Sequence, residues 1–422
     1  MDYNSEGLPK AVVCHRGSRD YYQLSAALHL EGLLETLVTD FYFSPDFFPF
    51  SNYLYRKNLK VFARSNKFLP AKMTTCNPSF ILESALTRTP FDSKERQKRL
   101  DGSIGEKALG LAQKRNCAIF SYSYYAFRSL ADCPNRPRFR FLFQLHPHPA
   151  TVRKILSEEM KNKPEFTNSL KWENEIGSSE EHFQSLCLEP ALANGWVVAS
   201  TFTANSLVEN GIPREKIHVV PYGVDFDAFP CRTNPPQPSS PFTIIWVGSM
   251  TQRKGLSYFL DAVGALEQDN LQVFIIGNSD IEAGLIREKG IRSIKIFKGL
   301  PTSDLAFKLR SADLFVLPSL AEGFGHSIIE ALASGVPVLT THSTCAPDII
   351  ENGKHGFIVP SRDAKALVDA ISWARLNRNE LYQMGINASR HVGQFTWDRF
   401  RRGIVDSYKK MVNHICMEDP SK

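Results

Sequence analysis

The sequence predicts an α/β protein with two domains, each built on a parallel β-sheet that helices cover on both faces. The chain has 422 residues, which is too long for one ordinary hydrophobic core. Short apolar runs, typical of buried strands, alternate with helix-spaced apolar patterns along most of its length. A proline-rich segment at residues 229–241 interrupts this alternation, and the same pattern resumes after it.

The N-terminal half opens with a predicted strand at Ala11–Cys14, and helix-spaced apolar residues follow from Tyr21 to Leu34. Further buried strands are predicted at Leu37–Asp40, Ala118–Ser121, Phe141–Leu145 and Gly195–Ala199. Because helical patterns separate these runs, the strands are expected to lie parallel in one sheet.

The C-terminal half repeats this organisation without detectable sequence identity to the first. Its predicted strands are Thr243–Val247, Leu271–Ile276, Asp313–Leu317 and Val336–Thr340, with a helix at Gly255–Leu266 and a final helix at Asp398–Met411. In parallel sheets, ligands bind at the carboxyl ends of the strands. Two such domains face to face therefore predict a cleft between them.

Composition and charge exclude several classes of protein. Basic residues exceed acidic ones by only 50 − 44 = 6, which falls short of a nucleic-acid binder. The eight cysteines are scattered and form no C-x-x-C pair, so neither a disulfide framework nor a zinc site is expected. The segment Met1–Glu6 has no basic end and no apolar core, and no apolar run reaches 18 residues. We therefore expect a cytoplasmic protein.

The most informative segment runs from Asp313 to Leu339 and reads as strand, glycine-rich loop, helix, turn and strand. Gly325 lets the backbone approach a ligand, and the helix that follows offers its positive end to an anion. Glu322 lies in the loop and Glu330 within the helix, so the two carboxylates can accept hydrogen bonds from different hydroxyls. A nicotinamide oxidoreductase and a P-loop kinase lose support, because their glycine motifs are absent.

This segment resembles the E-x7-E signature of the retaining family 4 glycosyltransferases, also called glycosyl transferases group 1. Other blocks that resemble the family lie in the expected order: Ser200–Leu207, Lys216–Asp225, Val247–Gly248 with Lys254–Gly255, and Glu351–Gly353 with Gly356–Val359. The resemblance is strong from about Gly195 to Tyr408. It implies the GT-B fold, in which two Rossmann-like domains face each other across a cleft.

The resemblance also implies domain limits. Residues 1–228 would form the N-terminal acceptor-side domain, 229–241 the linker and 242–395 the nucleotide-sugar-binding domain. Residues 396–422 would form a helix that crosses back to pack on the N-terminal domain.

Roles for individual residues follow from the same resemblance. Glu330 would hold the ribose of a nucleotide donor. Glu322 would hold the donor sugar, together with the backbone amides of Phe324 and Gly325. Lys254 would neutralise the diphosphate, and a fixed cation there would stabilise the charge of the leaving group.

One departure concerns the loop after Gly248. The family often has arginine directly after the V-G pair, whereas this chain has Ser249. Arg253 could supply the missing charge from a different backbone position.

In the N-terminal half, the family places a histidine after a strand, where it faces the cleft. His146 follows its strand directly and is the expected residue, while His148 is an alternative. Gly17 matches the glycine loop near the phosphates. Further candidates for the cleft are Arg16, Arg19 and Asp20.

The expected reaction is transfer of a hexose from a nucleotide-diphosphate sugar to a saccharide or lipid-linked acceptor, with retention of configuration, in polysaccharide or glycolipid biosynthesis. No metal and no cofactor are expected, because Asp225-Phe226-Asp227 is interpreted as a structural turn. Residues 41–72 combine basic and aromatic side chains that suit contact with an anionic membrane surface. The alternatives are a nucleotide-sugar 2-epimerase of related fold and a non-catalytic nucleotide-sugar-binding protein.

Overall fold

The computed structural model describes residues 7–42, 64–76, 94–235, 237, 239–277 and 288–418, with the backbone alone at 94–97. Two parallel sheets organise these residues, and this architecture confirms the predicted fold class. Most of the segment 41–72, with its predicted membrane contact, lies outside the described residues.

The N-terminal sheet contains seven described strands in the order β3-β2-β1-β4-β5-β6-β7. Their bounds are β1 Ala11–Cys14, β2 Leu34–Thr39, β3 Thr74–Cys76, β4 Ala118–Tyr122, β5 Arg140–Gln144, β6 Gly195–Val198 and β7 Ile217–Val219. Every residue of β1 and β4 is buried, which explains why these strands read as continuous apolar runs. Strands β2 and β3 lie on one side of β1, and β4 to β7 lie on the other side, so the strand order reverses at β1. A crevice therefore forms at the carboxyl ends of β1 and β4.

The C-terminal sheet contains six described strands in the order β10-β9-β8-β11-β12-β13. Their bounds are β8 Phe242–Val247, β9 Leu271–Ile276, β10 Ile294–Phe297, β11 Leu314–Leu317, β12 Val338–Thr341 and β13 Gly356–Val359. The order again reverses between β8 and β11, so the loops after these two strands meet at one edge.

Helices cover both sheets. In the N-terminal half the α-helices are Gln23–Leu30, Lys94–Arg115, Ala126–Ser129, Pro149–Asn162, Thr167–Leu170, Asn174–Gly177, Glu180–Leu192 and Thr201–Glu209. In the C-terminal half they are Leu256–Ala265, Thr302–Arg310, His326–Ala333, Ala346–Ile349, Ala364–Leu376, Arg378–Val392 and Trp397–Glu418. Short 3-10 turns lie at Arg19–Tyr22, Ala71–Met73, Pro164–Phe166, Arg214–Lys216 and Gln252–Lys254.

The first helix differs from its prediction at both ends. It begins at Gln23 because Asp20, Tyr21 and Tyr22 all have positive φ angles, of 42°, 52° and 61°. Left-handed backbone is costly for residues with a side chain and does not continue as an ordinary helix. The helix ends before Gly32, whose φ of 71° turns the chain into β2.

The last helix, Trp397–Glu418, packs against the N-terminal half of the chain. The hydroxyl of Tyr408 donates to the carbonyl of Pro9, and Arg401 donates to the side chain of Gln23. Lys216 forms an ion pair with Glu418 at 2.8 Å. This helix begins beyond the second sheet in sequence and contacts the first, so it connects the two domains.

No helix within the described ranges is both long enough and apolar enough to cross a bilayer.

Candidate functional site

The two domains touch where the loop after β11 meets the loop after β5. A Cβ atom on Gly323 would lie 1.9 Å from the carbonyl oxygen of Leu145, so only glycine fits at this contact. The carbonyl of Gly323 accepts hydrogen bonds from Ser200 at 2.6 Å and from Thr203 at 3.2 Å. The glycine-rich loop is thus held against the carboxyl ends of the N-terminal strands.

Lys254 and Glu322 form an ion pair at this edge of the C-terminal sheet. Gly255 has a φ of +77°, and a Cβ atom there would lie 1.9 Å from the carbonyl oxygen of Pro318. Glycine at this position therefore lets the turn that carries Lys254 approach the loop that carries Glu322. Glu322 is only 6% exposed. Burial and the neighbouring Arg253 both lower the pKa of Lys254 well below its usual value. An anionic ligand would restore the stability of the ammonium form.

Gly248 follows β8 and lies beside this lysine. Its φ is +151°, and a Cβ atom at this position would lie 3.9 Å from Cε of Lys254. The amide of Gly248 donates to the carbonyl of Ile276 at 2.9 Å, which fixes the loop to the sheet. A Cβ atom would fit at this distance, so it is the positive φ angle that favours glycine here.

Arg253 lies in the same turn as Lys254 and reaches both domains. Its Nη1 lies 3.6 Å from Oε2 of Glu322 and 2.9 Å from the carbonyl oxygen of Ala321. Its Nε pairs with Glu173 of the N-terminal domain at 2.9 Å. Burial acts to lower the pKa of Arg253, but the Glu173 carboxylate outweighs it, so the guanidinium stays charged. Ser249, by contrast, is exposed.

The backbone between Glu322 and the next helix has free donors. Gly325, at a φ of +89°, is the residue immediately before the helix His326–Ala333. Within the described ranges, the amides of Phe324 and Gly325 have no hydrogen-bond acceptor. The ring of Phe324 is buried 5.2 Å from that of Tyr222. Free amides at a helix start suit an anionic or hydroxylated ligand.

Glu330 lies along this helix and is half-buried. Its side chain has no hydrogen-bond partner among the residues that the structure describes. Burial raises the pKa of Glu330 to about 7. The charge of Glu330 in turn helps to raise the pKa of Tyr21 in the N-terminal domain, after the larger effect of burial.

The two candidate histidines have different environments. His146 lies in a cavity between the domains, with its ring 5.3 Å from that of Tyr124. Burial and the charges of Arg253, Arg19 and Lys254 lower the pKa of His146 to about 3. The imidazole is therefore neutral at physiological pH.

His148 caps the helix Pro149–Asn162. Its Nδ1 accepts from the amide of Ala150 at 3.2 Å, and its own amide donates to Ser206 at 2.8 Å. Burial lowers the pKa of His148 to about 4. These contacts give His148 a structural position, whereas His146 is left to face the cavity.

Gly17 follows β1 with a φ of +73°, and a Cβ atom there would meet nothing within 4 Å. Its amide donates to Asp40 at 3.0 Å, and its carbonyl contacts the ring of His15. Both hydrogen bonds lie within the N-terminal domain, and neither reaches Lys254 or Glu322. The loop is open to a ligand.

Asp225 lies in a turn. Its Oδ1 accepts from the amides of Asp227 at 3.0 Å and of Ala228 at 3.2 Å. This geometry is an Asx turn, in which the carboxylate satisfies the local backbone.

Several residues of the cavity could not be predicted from the sequence. Glu173, Tyr124 and Trp172 line the cavity, but no motif marks them. His326 stacks on Tyr222, with ring centroids 4.6 Å apart. No role was predicted for His326, although it lies within the segment from Asp313 to Leu339. For Trp172 and Glu173 the sequence offers one weak signal, which is that aromatic and charged residues lie together in the connection 170–175.

Known proteins resemble this chain in sequence and in fold. The family model described as "Glycosyl transferases group 1" matches residues 232–391. The amylovoran biosynthesis glycosyltransferase AmsK of Erwinia amylovora is 30% identical over 188 residues, which cover 42% of this chain and 46% of AmsK. Matches to the first three curated relatives span about half the length of each relative.

Solved structures resemble the chain over nearly its whole length. Sucrose-phosphate synthase from Thermosynechococcus elongatus aligns with a TM-score of 0.65 at 17% identity, over 96% of this chain and all of that one. HepE of Anabaena, solved with UDP and glucose, aligns with a TM-score of 0.61 at 14% identity, over 94% and 98% of the two chains. At such identities the likeness establishes the GT-B fold alone. Residues 232–391 therefore resemble the glycosyl transferases group 1 family.

Proposed function

We propose that this protein transfers a hexose from a nucleotide-diphosphate sugar to a hydroxyl of a saccharide or lipid-linked acceptor, with retention of anomeric configuration. The contact between Lys254 and Glu322 carries the proposal, because it places a cation and a carboxylate beside free amides at the meeting edge of two sheets. Relatives named for polysaccharide biosynthesis support a role in making a polysaccharide or glycolipid.

In this proposal the C-terminal domain binds the donor. Glu330 accepts hydrogen bonds from the ribose hydroxyls, while Lys254 faces the diphosphate and stabilises the departing nucleotide. Glu322 and the amides of Phe324 and Gly325 hold the donor sugar. His146 orients the sugar from the N-terminal side, and the loop at Gly17 closes over the phosphates. Catalysis then rests mainly on positioning and on leaving-group stabilisation.

A two-stage experiment tests the proposal. Thermal shift against a panel of uridine, guanosine and adenosine diphosphate sugars should reveal the donor, and nucleotide release should then be measured with saccharide acceptors and lipid extracts. Release that depends on an acceptor supports transfer. Inversion of the donor sugar at C2 without an acceptor would assign an epimerase instead, and tight donor binding without release would assign a binding protein.

We also propose that transfer needs no divalent metal, because Lys254 and Arg253 can supply positive charge at the diphosphate. Nucleotide release should be unchanged, within about twofold, after dialysis against EDTA. Loss of activity in EDTA that Mg²⁺ or Mn²⁺ restores would contradict this. A protein in which Asp225 is replaced by asparagine should also stay active, since that carboxylate caps a turn.

The predicted cytoplasmic location and the contact of residues 41–72 with an anionic membrane surface remain part of the proposal. Sedimentation with vesicles that contain anionic lipid, compared with neutral vesicles, would test the membrane contact.

A further inference from the structure

A cavity of about 310 Å³ lies next to the Lys254–Glu322 pair on the N-terminal side. Arg253 belongs to both places, because it lines the cavity and also lies 3.6 Å from Glu322. His146 forms another part of the wall. A molecule in this cavity would therefore lie beside the donor sugar, where an acceptor must be. This inference rests on the proposed function for that reason.

The N-terminal wall of the cavity carries three cations: Arg16, Arg19 and Lys98. Arg16 pairs with Asp101 at 3.2 Å. Arg19 receives no such partner: its guanidinium donates to the phenol of Tyr125, and within the described residues no carboxylate lies within 4.0 Å of it or of Lys98. This wall therefore holds more positive charge than its carboxylates balance.

The remaining carboxylates of the cavity are already engaged. Glu173 pairs with Arg253, and Glu175 accepts from the phenol of Tyr124. Burial raises the pKa of Glu175 and raises that of Asp101 to about 7, so Asp101 carries less than a full negative charge near neutral pH. Arg19 and Lys98 are thus the charges in the cavity that a ligand would have to satisfy.

Trp172 adds an apolar surface to the same cavity. Its side chain lines the cavity although the residue is 79% exposed. An indole combines a large apolar face with one N–H donor, so it can pack against the ring of a ligand in this cavity. A pyranose ring has one face rich in C–H groups that can lie on an indole, while its hydroxyls and substituents reach the polar wall.

We propose that this cavity binds an acceptor saccharide that bears a negatively charged group, a phosphate or a carboxylate, which Arg19 and Lys98 hold while Trp172 supports the sugar ring. Both anions match the geometry of a guanidinium and an ammonium group. The acidic substituent would fix the acceptor so that its hydroxyl points towards His146 and the donor. The acceptor class would thus be acidic sugars, whether free or at the end of a longer glycan or lipid carrier.

Binding of simple sugars without nucleotide tests this proposal directly. The affinities of glucose 6-phosphate, glucuronate, glucose and inorganic phosphate should be measured by calorimetry or ligand-observed NMR. We expect each charged sugar to bind at least about tenfold more tightly than glucose, because one charge-assisted contact contributes roughly a factor of ten. The charged sugars should also exceed inorganic phosphate, since only they can use the indole.

Substitutions of the cavity residues show which side chains cause the preference for charged sugars. Arg19→Ala and Lys98→Ala should each weaken the charged sugars about five- to twentyfold and leave glucose unchanged. Trp172→Ala should weaken all three sugars but not inorganic phosphate. Arg99→Ala is the matched control, because Arg99 is exposed on the same helix and does not line the cavity. The melting temperature of each variant should be measured to show that the fold persists.

Three outcomes would overturn the proposal. Equal binding of glucose and the charged sugars would remove the need for an anion, and binding no tighter than that of inorganic phosphate would leave an adventitious anion site only. If Arg19→Ala and Lys98→Ala weakened UDP or GDP but not the charged sugars, these cations would serve the donor diphosphate. Failure of the proposed function differs from all three, since it would appear as absent nucleotide release while charged sugars still bind.

Discussion

Glu330 combines burial, a missing partner and a carboxylate, and this combination makes it sensitive to both ligand and pH. A half-buried acid without a hydrogen-bond donor is unfavourable in its charged form, which explains the raised pKa of about 7. Ribose hydroxyls would supply the missing donors. The residue is therefore costly to the free protein and useful only if a ligand reaches it.

Replacing Glu330 should weaken nucleotide binding itself. A hydrogen bond to a charged group contributes about 1.5–3 kcal/mol, so Glu330→Ala should reduce the affinity for the cognate nucleoside diphosphate at least about tenfold. Calorimetry measures the effect, and Glu351→Ala serves as the control because Glu351 is exposed. Equal affinities of wild type and Glu330→Ala would disprove the ribose contact.

The raised pKa of Glu330 also predicts a pH dependence. Above pH 7 the carboxylate is ionised and can accept from two hydroxyls, whereas below pH 7 it is protonated. Nucleotide affinity should therefore fall about tenfold between pH 8 and pH 6 if only the ionised form binds. Glu330→Gln should remove most of this dependence, while ionisation of the nucleotide phosphate affects both proteins equally. An identical pH profile in the variant would contradict the assignment.

His146 is expected to act in its neutral form. Its pKa of about 3 lies far below physiological pH, so it can position a hydroxyl by hydrogen bonding but carries no charge. His146→Ala should lower kcat about 10- to 100-fold, as expected from the loss of a positioning contact. Nucleotide affinity should stay unchanged, and no ionisation of His146 should appear in kcat between pH 5 and 8.

His148→Asn is the matched comparison for this prediction. Asparagine can still cap the helix Pro149–Asn162, so this variant should keep both its stability and its turnover. Full activity in His146→Ala, with loss in His148→Asn, would transfer the proposed role to His148.

At the scale of secondary-structure elements, the turn Gln252–Lys254 determines where the lysine lies. Gly255 ends this turn in left-handed backbone, against the carbonyl of Pro318. The turn is also tied to the loop after β11, because the amide of Leu320 donates to the carbonyl of Arg253 at 2.8 Å. The turn after β8 and the loop after β11 are thus held together in one corner of the C-terminal domain.

Gly255→Ala should disrupt this corner. A side chain in left-handed backbone costs about 1–2 kcal/mol, and the clash with Pro318 adds to it, so we expect a loss of at least about 2 kcal/mol in the free energy of unfolding. Urea denaturation measures the change. Gly110→Ala is the control, because Gly110 lies exposed in a helix with open space around it and should gain about 0.5–1 kcal/mol. Similar midpoints for the two variants would show that the corner tolerates a side chain.

At the scale of the whole molecule, polar contacts hold the domains together. Glu159 on the helix Pro149–Asn162 is 0% exposed and accepts from Gln252 at 2.8 Å and from Tyr258 of the C-terminal domain. Arg362 of the same domain also pairs with it. A carboxylate buried across an interface is stable only while its partners remain in place.

Glu159→Ala should therefore favour an open arrangement of the domains. Its three partners lose their shared acceptor, so we expect a larger radius of gyration in small-angle scattering without ligand and closure when the cognate nucleotide is added. Glu158→Ala is a matched control, since this neighbour is 45% exposed and, among the described residues, its carboxylate pairs with Arg362 alone, at 3.1 Å. An unchanged radius of gyration in Glu159→Ala would mean that other contacts determine closure.

The amino-acid sequence by itself indicated nine of the described strands, the two-domain plan and the motif that carries Glu322 and Glu330, but it did not indicate β3, β7 or β10. These features follow from local patterns: buried parallel strands need continuous apolar runs, and a tight loop before a helix needs glycine. It did not determine that helix Gln23–Leu30 starts late, because the left-handed turn at residues 20–22 depends on tertiary contacts such as the hydrogen bond from Tyr122 to Asp20.

Only the tertiary structure decided which side chains share the cleft. His146 and His148 look alike in sequence, but His148 caps a helix and His146 faces the cavity. The pairing of Arg253 with Glu173 joins two domains, so no spacing along the chain could reveal it. The physical reason is that secondary structure arises from neighbours in the chain, whereas charge pairing and burial arise from neighbours in space.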